Sequence, residues 1–121
     1  MPVLMIFGIQ QDVINSFEIN AYLRPGLKEA VAGVTELGLS RKEVSVFLHQ
    51  ENTDDAGFAA LQTEIVVFID GLFEKPERTD EVLNRLAKAV VEKIKEFKFA
   101  KHEKVECFVR SFNPARGFFS S

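Results

Sequence analysis

The sequence predicts an α/β fold (α+β in layout): two β-α-β halves forming a four-stranded sheet with two helices on one face. Three observations predict it. Four short runs of apolar strand formers occur, at 2–9, 44–49, 63–69 and 105–109. A stretch of helical periodicity separates the first run from the second, and another separates the third from the fourth. Right-handed crossovers within each half then place both helices on the same face. The chain has 121 residues, the size of a single domain, 1–121. With 46% hydrophobic and 27% charged residues it can bury a core without disulfides or metal staples.

The run Pro2–Ile9 (PVLMIFGI) is almost wholly apolar and stops at Gln10-Gln11-Asp12, too short for a helix and suited to a buried strand. Residues 12–37 read as helix with a break at Pro25-Gly26, where Arg24 is expected outside the α region. Beyond the break Leu27, Val31, Val34 and Leu37 recur at helical spacing, and Gly38 supplies a stop. Val44–His49 is the second strand, and Glu51–Ala60 has the turn formers of a loop. Thr63–Ile69 is the third strand, closed by Asp70-Gly71. Thr79 is placed to cap a helix whose apolar stripe is Leu83, Leu86, Ala87, Val90, Val91, Ile94 and Phe97. Val105–Val109 is the fourth strand, followed by a tail with a turn between aromatic residues.

Several function classes fall away. Fifteen basic against eighteen acidic residues give a net charge of −3, which argues against nucleic acid or an anionic membrane surface as a partner. No apolar run approaches the ~20 residues that span a bilayer, and the apolar start lacks a basic leader, so the expected location is cytoplasmic. The single cysteine, Cys107, excludes an internal disulfide, and His49 and His102 have no spacing suited to a shared metal. No Gly-rich phosphate loop or Ser/His/Asp frame is present, so no cofactor is expected. Val3–Phe7 and Ile65–Ile69 are apolar at consecutive positions, so both sheet faces call for cover while two helices protect only one. The simplest cover is a second copy of the chain. A ferredoxin-like monomer or dimer shares the element order, and strand pairing distinguishes the two.

A Met-Pro start running straight into a strand, two βαβ halves, and the strand-plus-tail pattern from Lys104-Val105 to Phe119 resemble the tautomerase superfamily. The nearest types in length are the macrophage migration inhibitory factor and 5-carboxymethyl-2-hydroxymuconate isomerase types, with a looser likeness to a bacterial branch. The resemblance implies a trimer whose sheets line a central barrel. It further implies that Pro2, once Met1 is removed, is the general base in keto–enol conversion of a small anionic substrate. An α-amino group titrates near 8, and apolar surroundings lower it towards neutrality. Of the family's usual partner residues none recurs here: Leu39 follows Gly38, Ser45 occupies the second strand, and Glu106 and Phe108 the fourth.

The candidate site is therefore Pro2 as catalytic base, with Arg110, Arg116 and Arg41 as candidates for holding a substrate carboxylate and Arg24 as a weaker one. Arg110 ends the fourth strand and Arg116 lies in the tail turn. Glu106, a carboxylate in an apolar strand, is read as facing solvent, and Cys107 as packing. The alternative function is a catalytically inactive homo-oligomer of the same fold that acts as a binding or structural protein.

Overall fold

The computed structural model describes residues 2–49 and 64–121; the loop expected at Glu51–Ala60 lies outside the described residues. Strands β1 (Val3–Phe7), β2 (Ser45–Leu48), β3 (Glu64–Phe73) and β4 (Lys104–Phe112) form one sheet in the order β2-β1-β3-β4. Strand β1 runs parallel to β2 and antiparallel to β3, and β3 runs parallel to β4. In a ferredoxin-like fold the βαβ units are split by an intervening strand. Here the two strands of each half are direct neighbours, which removes that alternative.

Helix α1 (Gln11–Ile14) is one short turn, followed by a π-helical turn at Ile19–Leu23 that runs directly into α2 (Arg24–Ala32). The expected break at Pro25 is absent: Arg24 keeps helical angles (φ −57°, ψ −52°), and Pro25 sits in the first turn of α2. A proline is tolerated there because the missing N–H is not called on by an α-helical partner. Helix α2 also stops at Ala32, short of Gly38, which instead ends a 3₁₀ turn at Thr35–Leu37 with φ +67°. A second 3₁₀ turn, Arg41–Glu43, is fixed by a capping box between Ser40 and Glu43 and delivers the chain to β2.

Helix α3 (Asp80–Lys95) starts at Thr79, whose hydroxyl accepts the Val82 N–H at 3.3 Å. Its buried stripe is Val82, Leu86, Val90 and Ile94. Leu83, expected in that stripe, is only half-buried, because i, i+4 spacing from Leu86 selects Val82. Helices α2 and α3 pack side by side on the sheet face that carries Leu4, Ile6, Val46, Ile65, Val67 and Ile69, all in the core. Arg78 fastens the end of β3 to the preceding half, donating to the carbonyls of Phe73 and Leu37 at 2.9 Å each. No helix among the described residues is long and apolar enough to cross a membrane.

Among the described residues no helix lies on the opposite face. A row of large side chains crosses all four strands there: Phe47, Met5, Phe68 and Phe108 stand in register as cross-strand neighbours. Phe68 and Phe108 stack at 5.5 Å between ring centroids, yet Phe47 and Phe108 remain 59% and 47% exposed. An uncovered apolar row of this size is what the consecutive apolar residues of β1 and β3 foretold.

Strand β3 runs past its expected end. Asp70-Gly71 does not close it: Gly71, at φ +86°, absorbs a bulge between Ile69 and Leu72, and pairing with β4 resumes at Leu72 and Phe73. Strand β4 is correspondingly longer than 105–109, reaching Phe112.

Candidate functional site

Pro2 enters β1 from a buried position, and its carbonyl accepts the Ser45 N–H at 3.1 Å. Its neighbour Val3 stands opposite Ser45 on one side and Asp70 on the other. The pairing thus brings the start of β1 to the end of the sheet where the β3 bulge lies. A strand-opening proline forfeits no ladder hydrogen bond, so the position is compatible with the sheet whether or not its nitrogen does chemistry.

At this end Arg110 forms an ion pair with Asp70, Nη2 to Oδ2, at 2.6 Å, and its guanidinium lies 5.0 Å from the centre of the Phe68 ring. The pair borders a depression of ≈ 530 Å³ walled by Phe73, Phe112 and Phe118. Phe118 meets Phe73 edge-on at 5.2 Å and Phe112 at 6.2 Å. The tail folds back to do this through a turn in which Asn113 accepts the N–H groups of Ala115 and Arg116, at 3.0 and 3.1 Å. Arg116 itself is exposed in that turn. The hollow thus combines an aromatic wall with an arginine–aspartate pair at its edge, and an anion with an apolar body would reach the guanidinium by displacing Asp70.

Of the predicted site residues Arg110 lines this hollow, and Pro2, Arg116, Arg41 and Arg24 do not. Arg41 pairs with Glu29 at 2.7 Å and lies with Arg24 beside the β2 edge, on the far side of the sheet from Arg110. His49 packs its ring against Phe7 at 4.9 Å. Glu106 lies on the open face, paired with Lys104 at 2.8 Å; Lys104 also approaches Glu64 at 3.6 Å. The hydrogen bond from Lys104 holds the Glu106 carboxyl below the usual range, and the same bond raises the Lys104 ammonium. Cys107 points to the helix side, where burial pushes its thiol up to about 12 and leaves it un-ionised at neutral pH. Among the described residues no group of three or more His, Cys, Asp or Glu is placed to hold a metal.

Two features escape sequence reading. Asp70 emerges as the partner of Arg110, and Phe73 as part of the aromatic wall. The signal was present in Asp70-Gly71, since a glycine inside a strand pattern marks a bulge as well as a stop.

No family model matches this chain, and no curated protein matches it in sequence. Solved structures do match in fold. Native fused 4-OT is 17% identical with a TM-score of 0.72, covering 97% of this chain and 91% of its own. A fused 4-OT described as a symmetric trimer is 19% identical with a TM-score of 0.67, covering 93% and 87%. A 5-carboxymethyl-2-hydroxymuconate delta-isomerase is 13% identical with a TM-score of 0.61, covering 100% and 87%. The two βαβ halves, the order of their strands and these near full-length superpositions agree: the chain has the fold of the tautomerase superfamily.

Proposed function

We propose that this chain is the protomer of a homotrimeric tautomerase or isomerase, in which Pro2, freed by removal of Met1, is the general base acting on a small anionic keto–enol substrate. The observation that carries the reading is the placement of Pro2: buried at the start of β1, at the sheet end that holds the Asp70–Arg110 pair. The similarity to fused 4-OT trimers and to the isomerase supports it, as does the uncovered aromatic row that a trimer would bury.

In this mechanism a secondary amine is kept neutral by desolvation near pH 7. It takes the proton from the enol hydroxyl as the C=O bond forms, and a proton is returned to the adjacent carbon as the C=C bond is lost. The product is an isomer of the substrate, so no oxidant or reductant is required. Arg110 or Arg116 would hold the carboxylate, Arg110 by exchanging Asp70 for the substrate. Arg41, already paired with Glu29 at the β2 edge, is the weaker candidate.

A second reading is an inactive binding protein of the same assembly. It is favoured by one observation: Arg110 and Arg41 are each neutralised by a carboxylate of their own chain. A spectrophotometric assay with phenylenolpyruvate separates the two readings, using tag-free protein whose mass proves a free Pro2, beside a Met1-retaining control. Ketonisation is expected only with the free amine, since an acylated proline nitrogen is an amide. Pro2→Ala should lower the rate without unfolding the protein, and Arg110→Ala should chiefly raise KM. Equal rates for both preparations and buffer would leave the binding reading in place.

A further inference from the structure

Residues 1–73 contain only four lysine or arginine side chains, Arg24, Lys28, Arg41 and Lys42. The fold gathers all four around a single surface depression of ≈ 400 Å³, with Asn20 beside them. It lies at the β2 edge, across the sheet from Arg110, and of its residues the mechanism proposed above calls on Arg41 alone, as the weaker candidate for the carboxylate.

The cluster is held in place by specific contacts. Arg24 donates from Nε to Asn20 Oδ1 at 3.0 Å and from Nη1 to the Val46 carbonyl at 2.9 Å. Those bonds pin its guanidinium against the sheet edge. Lys28 follows one helical turn later on the same side of α2. Arg41 and Lys42 project from the 3₁₀ turn that the Ser40–Glu43 capping box fixes.

Neutralisation within the chain is partial. Glu29 pairs with Arg41, whereas Glu43 is turned to the Ser40 amide and hydroxyl, which hold its carboxyl below the usual range. Among the described residues Lys28 and Lys42 form no ion pair. Like charges gathered this closely repel one another, and a bound anion reverses the sign of that interaction.

We propose that this depression binds a compact, multiply charged oxyanion of the phosphate class, a phosphate or diphosphate group. The choice against a carboxylate rests on the donors. Arg24 is engaged at Nε by Asn20 and at Nη1 by Val46 and so presents no full bidentate face, while Arg41 gives one nitrogen, Nη1, to Glu29. Beside the remaining guanidinium nitrogens stand two lysine ammonium groups outside any ion pair among the described residues, point charges that extend the donor set beyond what one planar carboxylate uses and suit a tetrahedral, multiply charged oxyanion.

The experiment is calorimetric titration of the full chain with pyrophosphate, with orthophosphate and citrate titrated in parallel. ¹⁵N spectra of the arginine Nε–Hε groups are followed during the pyrophosphate titration. One pyrophosphate per chain is expected, with orthophosphate weaker, citrate weaker still, and affinity falling as salt rises. The Arg24 and Arg41 signals should move together during the titration. Lys28→Ala/Lys42→Ala should weaken binding about tenfold or more, while Lys88→Ala on the exposed face of α3 should leave it unchanged. Should the alanine pair fail to fold, Lys28→Gln/Lys42→Gln carries the same comparison. Citrate binding as tightly as pyrophosphate, unmoved Arg24 and Arg41 signals, or undiminished affinity in the double variant would each overturn the proposal.

Discussion

Phe47→Ala is the sharpest probe of the proposed assembly. Phe47 sits on edge strand β2 with its side chain on the open face, in register with Met5, and 59% of its surface is exposed in the single chain. Phenylalanine presents about 200 Å², so roughly 120 Å² remains for a neighbouring copy to cover. At about 25 cal/mol per Å² that is about 3 kcal/mol for each protomer, hence about 9 kcal/mol for a trimer. The association constant should fall by about six decades. Trimer formation depends on the square of the concentration of the other two chains. The monomer–trimer midpoint therefore moves by about three decades, roughly a thousandfold. Sedimentation velocity over a dilution series reads this directly, and circular dichroism confirms that the monomer stays folded. Phe119→Ala, in the tail and 90% exposed, serves as control and should leave the midpoint in place. A Phe47→Ala midpoint within about threefold of the parent, or a parent that is monomeric at micromolar concentration, would refute the assignment of this face to self-association.

Other outcomes follow from single positions. Leu86, fully buried in the α3 stripe, should cost about 2–5 kcal/mol when cut to alanine, measured in denaturant melts at fixed protein concentration; a loss under about 0.5 kcal/mol would mean the helix is rotated from this position. Gly8 has φ +97°, and an added Cβ would collide with the Glu64 carbonyl oxygen, so Gly8→Ala should lower stability by more than about 1 kcal/mol. An unchanged melting temperature would refute that close approach. Cys107 is held up to about 12 by burial, above the ~8.5 of an unfolded thiol. Above pH ~8.5 the unfolded chain therefore binds fewer protons than the folded one. This contribution to stability is complete below that pH and is lost as pH rises towards 12. Melts from pH 7 to 10 should show a decline that Cys107→Ala removes, and native protein should resist iodoacetamide at pH 8. Rapid alkylation without unfolding would contradict the burial.

The fold was largely legible because its two central strands announce themselves. Val3–Phe7 and Ile65–Ile69 lack polar alternation, which gave both their identity and the need for cover on two faces. What local pattern could not resolve were places where backbone geometry, not side-chain polarity, decides. Asp-Gly reads as a stop, yet Gly71 carries the ladder through a bulge. Pro-Gly reads as a break, yet the π-helical turn ahead of it lets Arg24 and Pro25 remain helical. Leu83 and Val82 are both apolar, and only packing against the sheet selects Val82. For the site, Pro2 and Arg110 were visible as residue types. Their shared end of the sheet, and the separation of Arg41 from Arg110, depend on the order β2-β1-β3-β4, which no periodicity encodes.

That strand order has a consequence for orientation. Because β1 and β3 are antiparallel and each is flanked by its own parallel partner, a two-fold axis normal to the sheet passes between Met5 and Phe68. Rotation about it exchanges Met5 with Phe68, Phe47 with Phe108, and Val3 with Val66, all apolar on both sides. Away from the centre the match breaks: Phe7 maps onto Asp70, Ser45 onto Glu106, and His49 onto Arg110. A ring-on-ring contact of Phe7 and His49 thus stands at one end where an ion pair stands at the other. The middle of the face is nearly palindromic and would accept a neighbour turned end for end. Telling up from down falls to the unequal ends, so a variant that made them alike would be expected to assemble in mixed orientations rather than fall apart.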